Sequence, residues 1–210
     1  MPLIDRADSV VVVVDAQPGF SGASGDAADA AAQSREVAAW LAGVAVALDL
    51  PIVVTEEDAA RNGPTDPWIV ANLPPGTPVF AKPVFGLAGV PEIVAAVESS
   101  GRRTAVIVGA ETDVCVAQSA IGLHDRGFRV VVVSDATFSP GPMHELGLRR
   151  IREAGVELHH AKGVYYDWIR TLEAARTFTA EHPDLAEPPG FRLWALTGPG
   201  PLPARRRRWQ

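Results

Sequence analysis

Five consecutive valines at residues 10–14, closed by Asp15, constrain this chain more than any other stretch. A run that is β-branched and apolar at every position has no polar face to turn to water, so it suits a strand buried on both sides. Strands of that kind belong to parallel sheets with helices packed on both faces. Further short apolar runs occur at 51–55, 79–81, 104–108 and 128–133, and a more polar one, suited to a sheet edge, at 156–159. Between them, apolar residues recur at helical spacing. The segment 34–50 carries Val37, Trp40, Leu41, Val44 and Leu48; 91–100 opens on Pro91 and is followed by Gly101. The segment 112–126 has Thr112 as N-cap and Gly127 as the residue past its end, 143–154 is stopped by Gly155, and 166–178 forms a last helix. The alternation predicts an α/β protein with a mostly parallel sheet.

At 210 residues the chain is long enough for one domain with a sizeable core. That domain is expected over 1–182. From 183 to 210 the sequence becomes a Pro/Gly-rich tail ending in four arginines, Trp209 and Gln210. Three readings fit the tail: a frayed end, an arm packing on another subunit, or a weak anion-binding patch. Residues 56–78, rich in Pro, Gly, Asn and Asp, read as a long functional loop. A formal net charge of −6 argues against a nucleic-acid partner. The single cysteine, Cys115, excludes an internal disulfide, so nothing demands an oxidising compartment. The N-terminus lacks a basic region followed by an apolar segment, and every apolar run is shorter than a membrane span. A cytoplasmic protein is expected.

In open parallel α/β sheets, ligands bind beyond the carboxyl ends of the strands. That rule selects Asp15, the acidic run Glu56-Glu57-Asp58, Lys82, the turn from Glu111 to Cys115, and Asp135. Three of these make a chemically complete set. Cys115, where a strand hands over to a helix, is the nucleophile, favoured as a thiolate by the helix N-terminus. Asp15 takes its proton, and Lys82 keeps Asp15 ionised. Backbone N–H groups at the helix start supply an oxyanion hole. Each residue also has a plainer reading: a buried small hydrophobe, a turn-capping Asp and a solvated Lys. Spacing alone leaves the function undecided.

Four pieces carry a resemblance: residues 11–17 with Phe20, Lys82 after a short strand, the run 109–116 (Gly-Ala-Glu-Thr-Asp-Val-Cys-Val), and 129–136. Across roughly 8–180 the chain resembles the isochorismatase-like cysteine hydrolase superfamily, which includes nicotinamidases, N-carbamoylsarcosine and ureidoacrylate amidases, biuret hydrolases and isochorismatases. The resemblance implies a Rossmann-like, three-layer α-β-α fold of about six strands and an Asp15–Lys82–Cys115 triad. It also implies a cis peptide at Ala110–Glu111, with the Glu111 and Cys115 N–H groups as the oxyanion hole. The reaction implied is hydrolysis of a small amide or ureido C–N bond through a thioester. Two rivals stand: isochorismatase-type vinyl ether hydrolysis, which does without the cysteine, and a binding or redox-sensing module using the Cys115 thiol.

Nicotinamidases of this superfamily hold a metal with an Asp and nearby histidines after the second strand. Residues 55–72 here contain no histidine, so neither a metal nor another cofactor is expected, and nicotinamide is disfavoured. Glu56 to Asp58 read as an exposed acidic loop, with a hard-cation site as the other reading. Phe20, Trp68 and Phe85 read as lining an apolar pocket or the core, and Gln118 sits one turn beyond Cys115. His144, after the loop that follows Asp135, is expected at the surface, with a place facing the cleft as the other reading. Tyr165, Tyr166 and Trp168 are expected at a subunit contact, since relatives form dimers or tetramers.

Overall fold

The structure is a computed structural model, described here for residues 2–21, 25–190 and 193. In chain order its elements are β1 (Ser9–Val14), α1 (Asp26–Ala47), β2 (Ile52–Glu56), the short helices α2 (Ala59–Asn62) and α3 (Pro67–Asn72), and β3 (Val79–Ala81). There follow α4 (Pro91–Ser99), β4 (Thr104–Ala110), α5 (Ala117–His124), β5 (Arg129–Phe138), α6 (Met143–Glu153), β6 (Glu157–His159), α7 (Ala161–Ile169) and α8 (Leu172–Glu181). The six strands form one sheet in the order β3-β2-β1-β4-β5-β6, and every pairing is parallel.

The valine run explains the layering. All five valines are fully buried, and alternation along β1 splits them between two cores. Val11 and Val13 face α1, α7 and α8; Val10, Val12 and Val14 face α4, α5 and α6. Each buried valine contributes about 1.5–3 kcal/mol of apolar transfer. A central strand therefore ties the two helical layers to one sheet. Among the described residues no helix is long and apolar enough to cross a membrane.

Several local expectations are corrected. The last helix is two, because Arg170 takes a left-handed φ of 68° and Thr171 caps α8 through its hydroxyl. Tyr165 and Trp168 pack inside the protein against α1 and α8 rather than presenting a subunit contact. The 56–78 loop contains α2 and α3, the latter opened by the Asp66 side chain bonded to the Trp68 N–H. The first tail residues are packed: Pro183–Leu185 forms a 3-10 turn, and the Trp40 indole donates to the Leu185 carbonyl at 2.9 Å. The arginine run and Trp209 lie outside the described residues.

Candidate active site

The strand order reverses between β1 and β4. The helix after β1 packs on one face of the sheet and the helix after β4 on the other, which opens a crevice at their carboxyl ends. β1 delivers Asp15 to that crevice and β4 delivers Cys115. Gly109, paired with Val14, makes the junction close: its φ is 125°, and a Cβ there would overlap the Val14 carbonyl oxygen. The peptide bond between Ala110 and Glu111 is cis.

Asp15 takes a left-handed φ of 47°, a conformation that Asp tolerates better than most side chains. Its carboxylate is sealed from solvent. Oδ1 accepts the Thr55 hydroxyl at 2.7 Å, and Oδ2 pairs with Lys82 Nζ at 2.8 Å. Lys82 is equally buried, and its ammonium also donates to the carbonyls of Val84 (2.7 Å) and Phe85 (2.8 Å). Three acceptors match its three N–H donors. Lys82 is thus fully engaged beside Asp15, and the plainer reading of a solvated lysine falls away.

Cys115 is buried within a π-helical turn, Thr112–Val116, that precedes α5. Single π turns inside helices recur at functional sites. The Val116 N–H reaches back to the Glu111 carbonyl at 3.0 Å. Thr112 is not the expected side-chain N-cap; its hydroxyl pairs with His144 Nδ1 at 2.9 Å. His144 is accordingly half-buried rather than at the surface, and burial lowers its pKa. Asp113 is tied to the Ser139 hydroxyl at 2.6 Å.

The strand-end rule selects Glu57 only as part of an acidic run, not as a neighbour of the thiol. Its Oε2 lies 3.7 Å from Cys115 Sγ, and donor atoms of Asp15, Glu57 and Cys115 all fall within 4.8 Å of one another. Of the groups among the described residues, this one has the spacing to hold a metal ion; Lys82 already supplies a positive charge to its Asp15 arm. The three acids expected in one exposed loop part company. Glu56 turns to the Thr65 N–H and hydroxyl, Asp58 is exposed, and Glu57 is half-buried over the thiol. Strand alternation held the missing signal: Val53 shares the core of Cys115, so 55 and 57 point the same way and 56 does not. Gln17, fully buried, fixes Glu57 by accepting its backbone N–H at 2.9 Å while donating to the Gly63 carbonyl.

Electrostatics define the resting state. Burial pushes the Asp15 carboxyl above its ordinary value, against the opposing pull of Lys82, Thr55 and the Cys115 thiol. Burial also pushes the Cys115 thiol up, the Asp15 and Glu57 charges add to that, and Lys82 only partly offsets them. Burial and the two carboxylates thus favour the protonated thiol, against the thiolate that a helix N-terminus and a lysine alone would favour. Glu111, half-buried, is raised by burial and by its neighbours Asp113 and Glu57.

Of the expected pocket residues, Phe20 lines a small cavity of about 10 Å³ beside Ala110. Trp68 and Phe85 are 60% and 53% exposed. Gln118, half-buried, abuts Gly86 in the segment whose carbonyls hold Lys82. A larger cleft, about 620 Å³, opens between α1, the end of β5 and the start of α6, with Asp135, His144 and His160 on its walls. Phe138 and Ser34 line both cavities, whereas Asp15, Lys82, Glu57 and Cys115 line neither.

Residues 9–162 match the family model described as Isochorismatase domain. The probable hydrolase YcaC of Escherichia coli is 31% identical over 187 residues, covering 85% of this chain and 88% of that protein. Its crystal structure, an octameric hydrolase of unknown specificity, superimposes with a TM-score of 0.75 at 26% identity over 88% of this chain and 93% of that one. YcaC from Pseudomonas aeruginosa, solved with hexane-2,5-diol and covalent acrylamide, gives a TM-score of 0.74 at 27% identity, covering 88% and 94%.

Proposed function

The chain belongs to the isochorismatase-domain family and is a hydrolase, and from the groups gathered at Cys115 we propose that it cleaves a C–N bond of a small amide or ureido compound through a thioester on that cysteine. The observation that carries this reading is the convergence of a buried thiol on a buried Asp15–Lys82 pair 2.8 Å apart. Asp15 accepts the thiol proton as Sγ attacks the carbonyl carbon. Attack and deprotonation are coupled, because burial and the neighbouring carboxylates favour the protonated thiol. The Glu111 and Cys115 N–H groups receive the developing oxyanion. Asp15 then returns the proton to the departing amine, leaving the acyl group on sulfur. Lys82 stays charged throughout, held by its three acceptors.

The surroundings of the thiol favour N–H-rich substrates. Glu57 and Asp15 offer acceptors beside Sγ, and the one nearby ammonium is occupied. A ureide or amide presents donors to that wall, whereas a dianionic vinyl ether meets repulsion. Covalent acrylamide in the Pseudomonas relative fits a nucleophile in the same fold. No step calls on a metal. The octameric relative supports assembly into a homo-oligomer, and we assign the enzyme to the cytoplasm because its single cysteine and buried thiol call for no oxidising compartment.

The test is ammonia release from a panel of small amides and ureides by wild-type protein and Cys115→Ala. Hydrolysis of at least one member, lost in the variant, is the expected result. Cleavage of a vinyl ether by both proteins would replace this reading with the ether hydrolase.

A further inference from the structure

Two carboxylates flank Sγ, and the structure equips them differently. Asp15 is sealed from solvent with one oxygen on Thr55 and the other on Lys82. Glu57 is partly exposed, and its Oε2 accepts from Sγ at 3.7 Å. Its backbone is clamped on both sides: the N–H donates to buried Gln17, and the carbonyl accepts from the Asn62 amide at 2.9 Å. A carboxylate carried on a clamped backbone by a partly exposed residue, and in contact with the reacting sulfur, is suited to activating a hydrolytic water.

We infer that Glu57 is a second catalytic residue, the general base that delivers water to the Cys115 thioester while Asp15 serves the acylation half. This rests on the cysteine-dependent reading above. As the water oxygen bonds to the thioester carbon, Glu57 takes one of its protons. The C–S bond then breaks with its electron pair on sulfur. Glu57 hands the proton to Sγ, restoring the thiol, and the product leaves as the carboxylic acid. The two proton inventories are separate: Asp15 moves the thiol proton to the amine, and Glu57 moves a water proton to the sulfur.

The probe is p-nitrophenyl acetate, whose leaving group needs no protonation, so acylation and deacylation separate. Wild-type protein should release p-nitrophenolate in a steady state. Glu57→Gln, with thermal unfolding unchanged, should give a burst of about one equivalent and then turn over about 10²–10⁴-fold more slowly. Intact-mass spectrometry should find a stable acetyl group on Cys115. A Glu57→Gln protein that turns over steadily at the wild-type rate, or that is folded yet shows no burst, overturns the assignment. Undiminished hydrolysis by Cys115→Ala instead sinks the covalent reading on which it rests.

Discussion

Replacing Lys82 with Met tests the electrostatic centre of the site through stability, independently of any substrate. The ammonium and the Asp15 carboxylate are both fully buried, 2.8 Å apart. Removing one partner of a buried ion pair costs about 3–5 kcal/mol, because it strands the other charge. The two other groups lost by Lys82 are neutral carbonyls, of Val84 and Phe85, and stranding them costs less than stranding a charge. The penalty therefore belongs to Asp15, and its pH dependence follows. Asp15 already takes up its proton above the ordinary carboxylate value, and losing the pull of Lys82 moves that point higher. A carboxyl with a raised folded pKa binds more protons folded than unfolded, so its contribution to stability falls as pH rises from the unfolded value through the folded one. The Lys82→Met deficit should thus be full at neutral pH and shrink once the medium is acid enough to protonate Asp15 in the variant. Urea unfolding followed by the fluorescence of buried Trp40 and Trp168 reads it. With a slope of about 1–3 kcal/mol/M, the midpoint should drop by roughly 1–5 M at pH 7.5. Asp15→Asn combined with Lys82→Met should cost less than the two separate losses summed. A Lys82→Met loss under about 1 kcal/mol at pH 7.5, against the 3–5 expected, would refute the reasoning. So would a loss equal at acid and neutral pH.

Three other outcomes follow from the same geometry. Because the Asp15 charge helps hold the Cys115 proton, Asp15→Asn should react with iodoacetamide faster than wild type near pH 8 while being inactive; slower labelling contradicts that. Gly109→Ala forces a Cβ into the Val14 carbonyl and a left-handed φ on alanine, so it should fail to accumulate as folded protein or unfold many degrees lower in calorimetry. His144 has a lowered folded pKa, so stability should rise with pH from that value up to about 6.5. In His144→Gln that part of the pH–stability curve should flatten, as read by unfolding at several pH values.

The layered sheet was legible because buried valine runs leave few alternatives: with no polar face, 10–14 had to lie between two helical layers. The strand-end rule then brought out Asp15, Lys82 and Cys115, since each closes or follows a strand meeting the same crevice. What stayed hidden depends on side-chain direction and exact backbone path. Composition made Glu56, Glu57 and Asp58 one acidic loop, although alternation from Val53 separates Glu57 from its neighbours. The break at Arg170 carries no Gly or Pro, so the helical pattern ran through it. Thr112 looks like a cap from sequence, but the π turn redirects its hydroxyl to His144, an element 32 residues away. The upward shift of the thiol likewise follows from burial depth and from Glu57 beside it, neither visible in spacing.

The central claim is that Cys115 forms the bond to the substrate. The most direct measurement is kcat/KM of Cys115→Ala on the best amide or ureide substrate, beside wild type, with folding verified. The account predicts a fall of about 10³-fold or more. A variant that retains near-wild-type kcat/KM would contradict it and leave Asp15 acting without a nucleophilic thiol.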